Sequence, residues 1–114
     1  MKGKENAMPS LKKDLCYPRR MVVYAVFDVL DQMRGRYEQT MLGDIKAEVR
    51  VRGNASLYAF AVTELTENTS ILHITMLQSM ASLTEEEKEL AVRCLMDRIL
   101  QHIGEAQRSN EGKT

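Results

Sequence analysis

Hydrophobic and polar residues alternate with period two between Gly43 and Gly53. Ile45, Ala47, Val49 and Val51 fall on one side, and Lys46, Glu48, Arg50 and Arg52 on the other. Successive strand residues point to opposite faces, so the pattern predicts a strand with one buried face. The runs 57–65 (LYAFAVTEL) and 70–77 (SILHITML) are rich in β-branched and aromatic residues and are bounded by turn residues. They predict two more strands, after a turn at Gly53-Asn54-Ala55-Ser56 and joined through Thr66-Glu67-Asn68. Leu11–Tyr17 and Arg36–Leu42 complete the set, with Gly43-Asp44 as a further turn.

In two segments the period lengthens to that of a helix. After Pro18, whose fixed φ suits a first helical turn, Val22, Val23, Val26, Phe27, Leu30 and Met33 recur at helical spacing. Tyr24 and Val29 widen this apolar arc; Arg19, Asp28, Asp31 and Gln32 mark the wet side; Gly35 is the expected stop. The second helix opens on Thr84 with Glu87 three residues later, a capping box. Glu85, Glu86 and Glu87 sit where the helix dipole favours negative charge, so this acidic run reads as a solvated first turn. Ala91, Leu95, Ile99 and Ile103 form its core stripe, with Leu90, Cys94 and His102 at the margins and Gly104 as the expected end. The chain thus divides into a loose segment 1–9, one α+β domain over 10–104, and a flexible tail 105–114.

Pairing the strands defines two faces. A turn at Asn54-Ala55 sets Val51 against Tyr58, Val49 against Phe60 and Ala47 against Val62. A three-residue loop with Asn68 in the left-handed region sets Val62 against Leu72, Phe60 against Ile74 and Tyr58 against Met76. A two-residue turn at Glu67-Asn68 would bring His73 and Thr75 into that apolar row instead. The longer loop is the consistent choice. The second face then carries the rows Glu48–Ala61–His73, Arg50–Ala59–Thr75 and Arg52–Leu57–Leu77. Alanines floor it and cations line one edge.

Composition removes several functions. A chain of 114 residues is one domain, and 16 basic against 16 acidic residues give no net charge to draw it to polyanions. The first twenty residues are basic, which reads as a solvated tail. Lys46, Arg50 and Arg52 hint at nucleic acid, but Glu48 sits among them, and Tyr58 and Phe60 belong to the core row, so no stacking platform accompanies them. Two cysteines, Cys16 and Cys94, and two histidines, His73 and His102, give no zinc set. Their apolar flanks make the cysteines buried thiols of a reducing, cytoplasmic protein. No secretory core and no apolar run near the ~20 residues of a membrane span occurs.

No nucleophile-elbow, phosphate-loop or dinucleotide motif is present. His73 as a general base would need an oriented carboxylate, and Glu48 is two strands away. No catalytic, cofactor-binding or metal-binding residues are therefore expected, and the chain is expected not to be an enzyme.

The segment LKKDLCYPRRMVVYAVFDVLDQM, the meander from Arg36 to Leu77 and LTEEEKELAVRCLMDRILQHI together give strand, helix, four antiparallel strands, helix. In element order this resembles the fold of the TATA-box-binding protein and the START-like helix-grip domains, which enclose hydrophobic ligands. The resemblance implies an α+β, β-α-β(4)-α architecture with an antiparallel meander sheet and two helices packed on it. It includes no specific motif and transfers no binding residues. The expected function is a non-enzymatic small binding or scaffold domain that self-associates as a homodimer. The candidate ligand or interface face is Arg50, Arg52, Leu57, Ala59, Ala61, His73 and Thr75. The alternative is a helix-grip-like domain holding an amphipathic or anionic small molecule between sheet and C-terminal helix, with Arg50, Arg52 and His73 as polar contacts. The two readings part on which face that helix covers.

Overall fold

A computed structural model describes the backbone of residues 8–41, 43–79 and 82–112. Most of the expected loose segment 1–9, and Leu42 of the second expected strand, lie outside the described residues. The elements are β1 (Ser10–Leu15), α1 (Arg19–Gln32), β2 (Arg36–Gln39), β3 (Ile45–Val51), β4 (Asn54–Thr66), β5 (Thr69–Ser79) and α2 (Glu85–Gly112). The five strands form one antiparallel sheet in the order β1-β5-β4-β3-β2. This is the α+β, β-α-β(4)-α architecture read from the pattern.

Pro18 precedes α1 with φ −64°, and its carbonyl accepts from the Val22 N–H at 3.3 Å. At the other end the chain closes in a Schellman arrangement. Gly35 N–H donates to Leu30 O at 2.9 Å, and Arg34 N–H to Asp31 O at 3.1 Å. The left-handed position is taken by Arg34 (φ 59°), one residue before the glycine. Gly35 serves a different need: a Cβ there would meet Val49 Cβ and Cγ2 at 3.3 Å and Glu48 O at 3.2 Å. Its bareness lets α1 turn closely over β3.

The capping box of α2 is formed: Thr84 N–H donates to Glu87 Oε1 at 2.8 Å, and Glu87 N–H to Thr84 Oγ1 at 3.1 Å. The expected stop at Gly104 is corrected, because α2 runs on to Gly112. A helical glycine costs only about 1 kcal/mol. The Gln101 amide donates to Glu105 Oε2 at 3.1 Å across this position, a helix-supporting i,i+4 pair.

Two turns set the register. At the β3–β4 turn Arg52 (φ 52°) and Gly53 (φ 85°) are both left-handed, the type I′ geometry whose twist suits a hairpin. Val51 therefore faces Asn54, Val49 faces Ser56, Ala47 faces Tyr58 and Ile45 faces Phe60. The expected pairing is corrected by four residues, an even number that leaves every inward residue inward. The β4–β5 pairing is as expected for Val62–Leu72, Phe60–Ile74 and Tyr58–Met76, but a register shift between Leu57 and Tyr58 sets Leu57 against Gln78 rather than the expected Leu77. It is reached differently: Thr66 pairs with Thr69 across a two-residue turn, and an irregularity between Glu64 and Thr66 restores the register. Asn68 is not left-handed. Its N–H donates to Thr66 Oγ1 at 3.1 Å, so the Thr66 side chain shapes this turn.

Both helices lie on one side of the sheet. The core joins Val22, Val26 and Leu30 of α1 and Leu95, Met96 and Ile99 of α2 to the inward rows of β3, β4 and β5. Tyr58, Phe60, Leu72, Ile74 and Met76 are at most 1% exposed. Tyr24, expected to widen the buried arc of α1, is instead 61% exposed. All four residues of β2 are exposed. That strand is tied down by the Tyr37 hydroxyl, which donates to Asp31 Oδ1 at 2.7 Å, and by the Phe27–Tyr37 ring contact at 5.3 Å. The hydrogen bond to Asp31, more than any burial, raises the Tyr37 phenol above its ordinary pKa.

Candidate functional site

Because α1 and α2 share one side, the other face of the sheet is uncovered among the described residues. β4 and β5 run through its centre and the charged strands flank them. Lys46 faces Ala59, which faces Thr75 and then Ser10. In the next row Ala61 faces His73 and then Lys12. Beyond it Thr63 faces Ile71 and then Asp14. On the other side Arg36 faces Glu48, which faces Leu57.

Leu57, Ala59, Ala61, Ile71, His73 and Thr75 are all half-buried, although no element lies over them. The pleat and the flanking side chains shield them only in part. Lys12, Asp14, Lys46 and Arg50 around them are exposed. Charges of both signs thus surround a stripe of small and apolar residues.

The seven residues expected on this face divide. Leu57, Ala59, Ala61, His73 and Thr75 come together, with His73 Nε2 3.4 Å from Thr75 Oγ1. Arg50 shares the face but stands opposite Ala55, nearer the hairpin end, where its Nη1 donates to Gly53 O at 3.3 Å. Arg52 leaves the face altogether, because it occupies the turn. Lys46 takes the place beside Ala59 expected for Arg50, a direct result of the four-residue register change. With α2 on the opposite side, Arg50 and His73 are not placed to contact a molecule held between sheet and α2; Arg52, in the turn, borders only a small cleft beside the first turns of α2. Ile71 and Lys12 were missed as members; the β1–β5 pairing that brings Lys12 in carries no local sequence signal.

Other chemistry-bearing groups are dispersed. Both cysteines are free; Cys94 is half-buried, but Cys16, expected to be buried, is exposed. It lies past the end of β1, beyond the residues that β5 holds in register. His102 Nε2 lies 3.1 Å from Asp28 Oδ2 and joins α2 to α1. That pair edges an open groove of about 1050 Å³ between α1, the second half of α2 and the tip of the β4–β5 hairpin. Met21 and Tyr24 offer apolar surface there, while Arg19 and Arg20 oppose Asp28, Glu64 and Glu67, so its charge favours neither sign of ligand. Among the described residues no group of three or more His, Cys, Asp or Glu is placed to hold a metal ion. Likewise no described helix is long and apolar enough to cross a membrane.

Ser70 is buried, with its Oγ donating to Tyr17 O at 2.9 Å. A second polar pair in the core is not so satisfied; the sequence pattern sets Tyr58 in the apolar row and Ser56 in the turn before it. Ser56 and Tyr58, two apart on the inward side of β4, are both 0% exposed. Ser56 Oγ and Tyr58 OH are buried without a hydrogen-bond partner. Such orphaned groups cost about 1–3 kcal/mol each. Burial pushes the Tyr58 phenol above its ordinary pKa; nearby Ser56 opposes that push and Cys94 adds to it. The Ser56 hydroxyl is therefore close to the phenol but outside hydrogen-bond geometry.

No protein-family model matches the chain, and no curated protein matches it. In fold it is similar to the protein XoxI from Bacillus cereus, at 16% identity and a TM-score of 0.51, covering 88% of this chain and 94% of that one. A START superfamily protein from Mycobacterium smegmatis matches at 11% identity and a TM-score of 0.43, over 94% of this chain and 99% of that one. Zhui aromatase/cyclase from Streptomyces sp. R1128 matches at 13% identity and a TM-score of 0.38, over 89% and 94%. The likeness to XoxI shows the fold alone. The expectation that the chain is not an enzyme is withdrawn: a structure it matches is named an aromatase/cyclase, and that distant likeness assigns no enzyme status to this chain. Catalytic groups on such a scaffold can come from separate elements, so the lack of a linear motif does not decide the point.

Proposed function

We propose that this chain is a small binding domain that works as a homodimer, with the open sheet face as the contact. The carrying observation is the half-buried central stripe of that face, from Leu57 to Thr75, lying uncovered inside a charged border. Small and apolar residues at the centre with polar ones around them are the usual anatomy of a protein contact. The border supports a second copy in particular. Lys12, Lys46 and Arg50 alternate with Asp14 and Glu48, so a two-fold rotation can bring opposite signs together. Ala59 and Ala61 allow close approach of two sheets, which stack about 10 Å apart. The two free cysteines accord with a cytoplasmic setting.

Sedimentation velocity across a concentration series tests the proposal. The expected result is a dimer for the wild type and a monomer for Ala61→Glu, which adds a buried charge at the centre of the contact. A wild type that stays monomeric at high micromolar concentration overturns it.

A further inference from the structure

Of the stripe residues Leu57, Ala59, Ala61, Ile71, His73 and Thr75, only His73 can change charge. It faces Ala61, the position at which a permanent charge is expected to break the dimer. Histidine is also the side chain whose charge ordinarily changes between about pH 5 and 8. The groups around the imidazole decide what a proton does there. On β1, Lys12 stands directly opposite it, and Asp14 faces Ile71, two residues away. On β4 its neighbours Ala59, Ala61 and Thr63 are uncharged. On β3, Lys46 faces Ala59, Glu48 faces Leu57 and Arg50 faces Ala55. Farther out on β2, Glu38 faces Lys46 and Arg36 faces Glu48. On β5 itself, Thr75 Oγ1 lies 3.4 Å from His73 Nε2. The helices lie on the other side of the sheet. The charge directly opposite His73 is therefore a cation, and the carboxylates belong to the border. A neutral imidazole can enter a contact with Thr75 beside it. An imidazolium there would lose its water without gaining an anion.

We propose that protonation of His73 opens the dimer, so that acidification separates the two copies. This rests on the reading of the open face as a self-contact. A two-fold axis that lays stripe on stripe brings both His73 side chains into one contact. It also matches border with border, leaving Asp14 and Glu48 to the cations there. Burial in the contact disfavours the charged imidazole, so dissociation takes up protons and acid drives it. Protonation thus does reversibly what Ala61→Glu does permanently.

The test is sedimentation velocity of the full-length protein at about pH 8 and about pH 5.5, which span the histidine range and keep ordinary carboxylates ionised. The wild-type dimer dissociation constant is expected to rise about ten- to a hundredfold at the lower pH, the factor for one or two histidines. His73→Gln should dimerise alike at both values. His102→Gln should keep the wild-type response, because His102 pairs with Asp28 on the helix side. If His73→Gln fails to fold or to associate, dilution calorimetry of the wild type replaces it. Run at about pH 6.5 in buffers of different ionisation enthalpy, it should show proton uptake on dissociation. A wild type monomeric at both pH values overturns the dimer reading, and this inference falls with it. A wild type that dimerises equally well or better at the lower pH leaves the dimer standing and overturns this inference alone. So does a His73→Gln variant with the full acid response, or dissociation without proton uptake.

Discussion

The two faces of the sheet are made by the same strands and differ in kind. On the covered face Phe60, Leu72, Ile74 and Met76 pack against two helices and are at most 1% exposed. On the open face their immediate neighbours Ala61, Ile71, His73 and Thr75 are half-buried by the sheet alone. The covered face is large, branched and aromatic, which is what filling the space beneath two helices requires. The open face is small and mixed, which fits close approach of something flat. Alternation lets one strand meet both demands, and the consequences of substitution should divide accordingly.

The largest effect is expected on the covered face. Phe60→Ala should lower stability by about 3–5 kcal/mol through lost burial and the cavity left behind, read from the urea midpoint. The adjacent Ala61→Glu should change monomer stability by less than about 1 kcal/mol, because its side chain projects from the open side. Comparable losses from the two substitutions in monomers would erase the contrast between faces.

Smaller effects concern the devices that hold the helices to the covered face. Thr84→Ala removes the hydroxyl half of the α2 capping box and should cost about 1 kcal/mol. Arg34→Gly should act in the other direction. It relieves a non-glycine residue at φ 59° and is expected to raise the melting midpoint, with a gain of up to about 1 kcal/mol. A loss there would mean that the Arg34 side chain contributes more than its backbone costs.

The smallest effect shows only at alkaline pH. Burial raises the Tyr58 phenol above its ordinary 10.0, so the folded state holds this proton more tightly than the unfolded chain. That contribution is fully present below about pH 10 and is lost as pH rises through the raised folded-state value. Tyr58→Phe should flatten the alkaline limb of the stability curve and leave the neutral region without this dependence. An unchanged alkaline limb in that variant would place the responsible group elsewhere.

Periodicity alone made the fold and the inward residues legible. Ile45, Ala47, Val49 and Val51 could be assigned to the core before any partner was known, because alternation is local. The β3–β4 register was not legible in the same way. The slip was even, so pattern could not detect it, and the deciding fact was an arginine at φ 52° before Gly53. The Asn54-Ala55 turn preferred on sequence grounds lost to Arg52-Gly53, where glycine supplies the second left-handed position. Candidate-site residues inherited the same error: Ala59 kept its place, and its neighbour changed from Arg50 to Lys46. The seating of both helices on one side also escaped the sequence, since the alanine-floored face is too apolar to exclude a helix outright. The buried hydroxyls of Ser56 and Tyr58 were hidden for two reasons: Ser56 reads as a turn residue although β4 begins at Asn54, and Tyr58 reads as a core residue whether or not its hydroxyl finds a partner.

The short, fully exposed β2 has a bearing on the geometry of assembly. It offers only four residues along one margin of the sheet, and Arg36 and Glu38 carry charge there. At the opposite margin β1 presents Lys12, Lys13 and Asp14. Where β4 extends past its last pairing with β3, the Val62 carbonyl already accepts from Arg19 Nε at 2.9 Å. Brief, charged or occupied margins resist the edge-to-edge addition by which sheets propagate into fibres. If the proposed contact forms, an association confined to the flat face closes after two copies instead of propagating as a polymer.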